Sequence, residues 1–479
     1  MPYTLTAEQQ DIISTAVTSP VGTILKINAC AGASKTYTLL KVSEALPHSD
    51  QLYLAYNKAI AEESKSKFPS YVQCKTTHSL AFTPIVKYGL DLDGHQGKPR
   101  VIGTFTHRDL PKEMEYDDKL FIISHLEAFF LSSYTCIDKY MVREGAPAAT
   151  KEYFLKMVDN DLPCTHGFYL KMYHILLVEG HIHYDKPFDV IMLDEAGDIN
   201  EVTLGIFLAL PANLKIMVGD PLQNIYSFNH TINGFVALKD VGVTKHLSQS
   251  FRCSEAIADS IESFCQRHLD PDTIFRGTEH ADTTIRSEAI ISRTNSGLIQ
   301  YMITMASTGI EFNLTREAKH IFASMLTLMN LKEGGKIFEP SLKFLQKDVD
   351  HYFKSPTTRA KHKTCLLYIK SKHETEEPNI KVAIQTILKY GASKIYDAYN
   401  FAKKCEATHH DHAVTLTTAH SSKGLTFDSV TIADDFNLSD ILEMKQSERS
   451  NQDQEELRLY YVCCSRARLR LLNAIYLRR

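Results

Sequence analysis

At 479 residues the chain exceeds what one hydrophobic core usually holds, so several subdomains are expected. Apolar residues make up 44% and charged residues 23%, which excludes a disordered or collagen-like chain. Net charge is −4, from 53 basic and 57 acidic side chains, so the chain is not a globally basic nucleic-acid binder and any such contact must rest on local basic patches and aromatic platforms. The ten cysteines form no Cys-x-x-Cys pair, and Cys30, Cys463 and Cys464 lie at no bridge-like spacing. A reducing compartment without a disulfide framework is expected. No apolar run approaches the roughly 18 residues of a membrane span, and the N-terminus lacks the basic and apolar regions of a signal peptide.

In chain order, the pattern predicts a strand at 24–28, a helix after Lys35, a strand at 52–55, a helix from Lys58 and a strand near 72–75, which is a parallel α/β unit. Between the first strand and the first of these helices stands Ala29-Cys30-Ala31-Gly32-Ala33-Ser34-Lys35-Thr36. Small residues let backbone N–H groups face an anion, and the helix N-terminus adds a favourable dipole. In a phosphate-binding loop Lys35 reaches the β- and γ-phosphates and Thr36 holds Mg²⁺. Ser34 stands where Gly is usual, and a positive φ there costs roughly 1–2 kcal/mol. The plain alternative is an ordinary small-residue turn.

Residues 89–185 interrupt the pattern with helical stretches such as 120–130, and His181-Ile182-His183 reads as loop. Phe188–Leu193 is apolar and reads as a buried strand ending in Asp194-Glu195. In NTP hydrolysis such a pair divides the work: Asp194 holds Mg²⁺, and Glu195 orients and deprotonates the attacking water. Leu214–Val218 is another strand, so Gln223 emerges at the sheet's C-terminal edge, where α/β proteins bind ligands. Glu288–Arg293 reads as a strand and 297–412 as largely helical and charged. His409, His410 and His412 read as a solvated loop rather than a metal cluster, since no second set of ligands completes a tetrahedron. Leu459-Tyr460-Tyr461-Val462 suits a half-buried helix presenting Arg466, and Arg466, Arg468, Arg470, Arg478 and Arg479 form a basic segment. For Arg252 and Arg466 the plain alternative is a surface salt bridge, for Phe251 a core aromatic, and for Gln9 a solvated helix residue.

An ordered set of motifs sharpens this reading. Leu5–Gln9, Ala29–Thr36, Ala55–Ala61, Thr76–Ala81, Asp194–Asp198, Val218–Phe228, Leu247–Arg252, Thr418–Phe427 and Glu455–Ala467 resemble, in order, the glutamine motif and motifs I, Ia, Ib, II, III, IV, V and VI of UvrD/Rep-type superfamily 1 DNA helicases. Within that group the wording is most similar to the helicase part of F-box DNA helicases. The departures are Ser34, Gly197 and Thr426, where the family usually has Gly, Gln and Glu, and Ala55, where its motif Ia aromatic usually stands.

The resemblance implies an α/β P-loop NTPase with two RecA-like parallel-sheet motor domains and helical insertions. The first core takes 1–88 and 186–245, with 89–185 as a 1B-like insertion. The second takes 246–296 and 413–479, with 297–412 as a reduced 2B-like insertion. It implies ATP and Mg²⁺ between the cores. Lys35, Asp194, Glu195, Gln223, Arg252 and Arg466 serve chemistry, and Gln9, Ala29, Cys30, Ala31, Gly32, Ala33, Ser34, Thr36, Phe251 and Gly424 hold the nucleotide, with Thr36 and Asp194 on the metal. Single-stranded DNA and single/double-strand junctions are the implied partners, contacted by Tyr56, Asn57, Thr77, His78, Tyr226, Phe228 and His420, together with replication or repair proteins. The implied activity is 3′-to-5′ unwinding in DNA replication, repair or recombination. The alternatives are a translocase that strips proteins from DNA without processive unwinding, a degenerate DNA-binding scaffold, and a 5′-to-3′ superfamily 1 helicase. A cytoplasmic location is expected for a bacterial or phage source and a nuclear one for a eukaryotic source.

Overall fold

The computed structural model describes residues 4–47, 49–225, 230–331, 337, 340–373, 378–408 and 413–478. The chain divides into two compact units, Met1–Gln249 and Ser250–Arg479.

The first unit is built on six parallel strands: β1 (Thr23–Ala29), β2 (Gln51–Leu54), β3 (Val72–Lys75), β4 (Phe188–Leu193), β5 (Ala212–Gly219) and β6 (Val243–Leu247), in spatial order β3-β2-β4-β5-β1-β6. The inner strands β1, β2, β4 and β5 are largely buried on both faces because both faces are covered, while the edge strands β3 and β6 keep exposed residues. Tyr53, Val190, Met192, Ile216 and Val218 face one layer with Ile12 of α1 (Ala7–Thr18), Leu39 and Val42 of α2 (Lys35–Ala45) and Ala61 of α3 (Lys58–Lys67). Leu52, Leu54, Ile191, Leu193 and Met217 face the other. That second layer is shared with the helices between β3 and β4: α4 (Thr77–Ala81), α5 (Tyr116–Leu131), α6 (Ile137–Glu144), α7 (Ala148–Val158) and α8 (His166–Val178). Phe129, Phe130, Phe154 and Phe168 pack at ring spacings of 5.3–6.4 Å inside this layer, so the helical interruption is continuous with the sheet's core. Residues 246 and 247, at the sequence-based start of the second core, complete β6 beside β1.

The second unit holds a parallel sheet of β7 (Glu288–Ser292), β8 (Asn313–Leu314), β9 (Thr415–Thr418), β10 (Phe427–Ile432) and β11 (Ala467–Leu472), ordered β8-β9-β7-β10-β11. The short β8 falls inside the stretch expected to be helical; the rest of that stretch is dominated by helices such as Asn295–Thr308, Ala318–Asn330 and Pro378–Glu406, the last kinked at Gly391. A helix over Asn451–Cys464 starts with a reciprocal cap between Ser450 and Asp453. It is not half-buried at its end: Leu459, Tyr460, Tyr461, Val462, Cys463 and Cys464 are all enclosed, because β10, β11 and helix Glu255–His268 surround that turn.

Candidate nucleotide site and nucleic-acid groove

Four sequence-predicted residues converge at the C-terminal edge of the first sheet. The segment from Cys30 to Ser34 leaves β1 and enters α2 at Lys35. Ser34 adopts the left-handed conformation (φ 57°, ψ 42°), so the cost foreseen for a non-Gly residue is real. Its side chain makes no capping hydrogen bond, which leaves the first turn of α2 without the usual side-chain cap.

Lys35 Nζ lies 3.2 Å from Glu195 Oε1. Burial alone lowers the lysine pKa, but the carboxylates of Glu195, Asp194 and Asp220 outweigh it and the net shift is upward, so Lys35 is held as a cation. Asp194 ends β4. Its Oδ1 accepts from the Glu195 N–H at 2.8 Å, and its Oδ2 accepts from Tyr53 O–H at 2.6 Å and lies 3.4 Å from Thr36 Oγ1. Burial, and then the like charge of Glu195, push the Asp194 pKa up, while Lys35 and Tyr53 oppose the rise. Glu195 itself sits at positive φ (54°), a conformation that L-residues hold only when the surroundings fix it.

The Thr36 and Asp194 oxygens suit Mg²⁺. Both are hard oxygen donors of the kind Mg²⁺ takes, and they lie 3.4 Å apart. An ion held there beside a nucleotide would neutralise phosphate charge.

Gln223 follows β5 in a short turn, with Nε2 donating to Asp220 Oδ2 at 2.7 Å. A Cβ at Gly197 would stand 2.4 Å from the Asp220 carbonyl oxygen, so the loop after β4 packs backbone-to-backbone on the loop after β5, and glycine suits this departure from the family pattern. Gln9 is not a solvated helix residue. It is buried, its Oε1 accepts from Thr6 N–H, and its Nε2 donates to Thr38 Oγ1 in the first turns of α2.

In the second unit, Arg466 is only 1% exposed. Nε donates to Val462 O at 2.8 Å and Nη2 to Ser465 Oγ at 2.7 Å. Arg252 Nη1 donates to Ser465 O at 3.1 Å. Neither guanidinium has a carboxylate partner among the described residues, so neither is a surface salt bridge. Burial, and then the like charge of Arg252, lower the Arg466 pKa to about 10. Two close cations without a carboxylate favour an incoming anion. Within the basic C-terminal segment Arg468 pairs with Asp428 and Arg470 with Glu288, both at 2.7 Å, and Arg479 lies outside the described residues. Phe251 is 38% exposed and is therefore not a core aromatic; Gly424 has φ 86°, and His420 opens a short turn before it.

A groove of about 820 Å³ lies on the first unit. Its walls include Tyr56, Asn57, Lys58, Lys65, Lys75 and His78. His78 meets Tyr169 edge-on at 5.7 Å, and burial lowers its pKa. Asn57 also caps helix Lys58–Lys67 by accepting from Ile60 N–H at 2.9 Å. Thr77, the neighbour of His78, is buried and does not line the groove. Tyr226, Phe228 and the histidines at 409, 410 and 412 lie outside the described residues. Sequence reasoning missed Tyr53, His166 and Tyr169. The first is marked only by a phenol between two leucines of a short strand, and the others arrive on α8 from about ninety residues downstream.

Two parallel α/β sheets, the first carrying the loop from Cys30 to Ser34 beside the Asp194-Glu195 pair, have the architecture of two RecA-like domains. Residues 366–477 match the UvrD-like helicase C-terminal domain family. The chain is 25% identical over 524 aligned positions to F-box DNA helicase 1 of Gallus gallus, covering 98% of this chain and 49% of that protein. It is likewise 25% identical over 537 positions to F-box DNA helicase protein 1 of Schizosaccharomyces pombe, covering 98% and 57%. The chain thus spans about half the length of the curated relatives it matches. The chain is thus similar to UvrD-like helicases. Among the described residues no helix is long and apolar enough to cross a membrane.

Proposed function

We propose that the chain is an ATP-dependent motor that moves on single-stranded DNA, 3′ to 5′, and unwinds duplex ahead of it. The observation that carries this reading is the convergence of Lys35, Thr36, Asp194 and Glu195 at one sheet edge. Lys35 and the first turn of α2 bind the phosphates. Glu195 orients and deprotonates the attacking water, and Arg252 and Arg466 stabilise charge on the transferred phosphoryl group. The groove lined by Tyr56, His78 and three lysines takes the strand, through ring stacking worth on the order of 1–3 kcal/mol per base and phosphate contacts. The names of the relatives support DNA as the substrate, and the direction comes from family resemblance. The test is an unwinding assay with ATP on 3′-tailed and 5′-tailed duplexes. Unwinding of the 3′-tailed substrate alone supports the reading; unwinding of neither leaves translocation without strand separation, and unwinding of the 5′-tailed one alone reverses the direction.

A further inference from the structure

Asp194 is held from two sides. Its Oδ1 takes the N–H of its own neighbour, Glu195, at 2.8 Å, a bond from within the same loop. The second bond comes from a different strand: Tyr53, on β2, donates its hydroxyl to Oδ2 at 2.6 Å. That same Oδ2 faces Thr36 Oγ1. Tyr53 is fully enclosed, stands in register with Met192 two residues before Asp194, and seats its ring on Phe68 at 4.8 Å. A buried phenol needs a partner for its hydroxyl, and this one's partner is the carboxylate that faces the metal position.

We propose that Tyr53 is a positioning residue: it fixes the plane of the Asp194 carboxylate so that Oδ2 is presented beside Thr36 for the divalent cation of a bound nucleotide. This rests on the nucleotide reading above. Outer partners of this kind change metal affinity by about 10–100-fold when removed.

Tyr53→Phe keeps the ring and removes the donor. Tyr53→Met is a second variant without the hydroxyl. Phe68→Leu loosens the ring's seat but leaves the hydroxyl in place. ADP affinity is measured by calorimetry for each, in EDTA and in Mg²⁺. Both Tyr53 variants are expected to bind metal-free ADP as wild type does and to lose at least about 10-fold of the Mg²⁺-dependent gain, while Phe68→Leu retains that gain. ATP turnover in Tyr53→Phe is expected to show a raised half-saturating Mg²⁺ with recovery at high Mg²⁺. An unchanged Mg²⁺ gain in a folded Tyr53 variant overturns the proposal, as does an equal loss in Phe68→Leu, which assigns the effect to packing. Failure of the wild-type protein to bind ADP in either condition overturns the nucleotide site itself, a separate result.

Discussion

Replacing Ser34 by glycine tests the phosphate loop at its most strained point. Ser34 holds φ 57° at the entry to α2, a region that costs an L-residue roughly 1–2 kcal/mol. Glycine removes that cost but adds about 0.5–1 kcal/mol of unfolded-chain entropy, so Ser34→Gly is expected to stabilise the protein by about 0.5–1 kcal/mol. In a unit spanning Met1–Gln249 this raises the thermal midpoint by about 1–3 °C. The backbone N–H at position 34 is retained, so ATP turnover stays the same or rises. The assay pairs thermal melting with steady-state ATP hydrolysis and includes Ser34→Ala, which keeps the Cβ strain but loses the hydroxyl. A loss of turnover beyond about 10-fold in both variants, with melting intact, would refute the reasoning and make the serine hydroxyl a phosphate ligand.

Three other changes probe the site and its support. Glu195→Gln should keep Mg·ATP binding and lose at least about 10²-fold in hydrolysis, the scale for removing a general base; near-normal turnover would reassign the base. Gly197→Ala drives a Cβ against the Asp220 backbone and should cost about 1–3 kcal/mol in chemical denaturation, with reduced turnover because Asp220 holds Gln223; a wild-type midpoint would contradict the close packing. Lys171 is enclosed between α5 and the following loop, donating to Ser132 O and Tyr134 O, and burial lowers its pKa from 10.5 to about 7. Because the unfolded chain holds the proton up to the higher value, this group makes stability rise as pH climbs from about 7 to 10.5, by up to about 5 kcal/mol, and adds no slope below 7. Relative to wild type, Lys171→Met should therefore lose that alkaline rise in urea-unfolding free energy; parallel pH curves for the two proteins would contradict it.

What the sequence could reveal divides along the distance between residues. The loop from Cys30 to Ser34 is local, and strand, small residues, Lys-Thr and helix follow in unbroken order, so its position and even the awkward Ser34 are legible. The Asp194-Glu195 pair is legible because an apolar strand runs directly into it. Its partnership with Tyr53 is not, since residues 141 positions apart meet only through the adjacency of β2 and β4. The groove shows the same limit: Tyr56 and His78 lie in motifs, whereas Tyr169 comes from a helix whose continuous apolar pattern gives no sign of which ring faces out. Arg466 was legible as a cation but not as a buried one. The aromatic run before it has the same wording on a half-buried helix as on one enclosed by neighbouring elements.

The central claim, a nucleotide site that drives motion on DNA, is tested most directly by steady-state ATP hydrolysis with and without single-stranded DNA, with Lys35→Ala as the blank. The account predicts slow turnover alone, a strong rise on adding single-stranded DNA, and neither in Lys35→Ala. Equal turnover with and without DNA, or turnover that survives in Lys35→Ala, would contradict it.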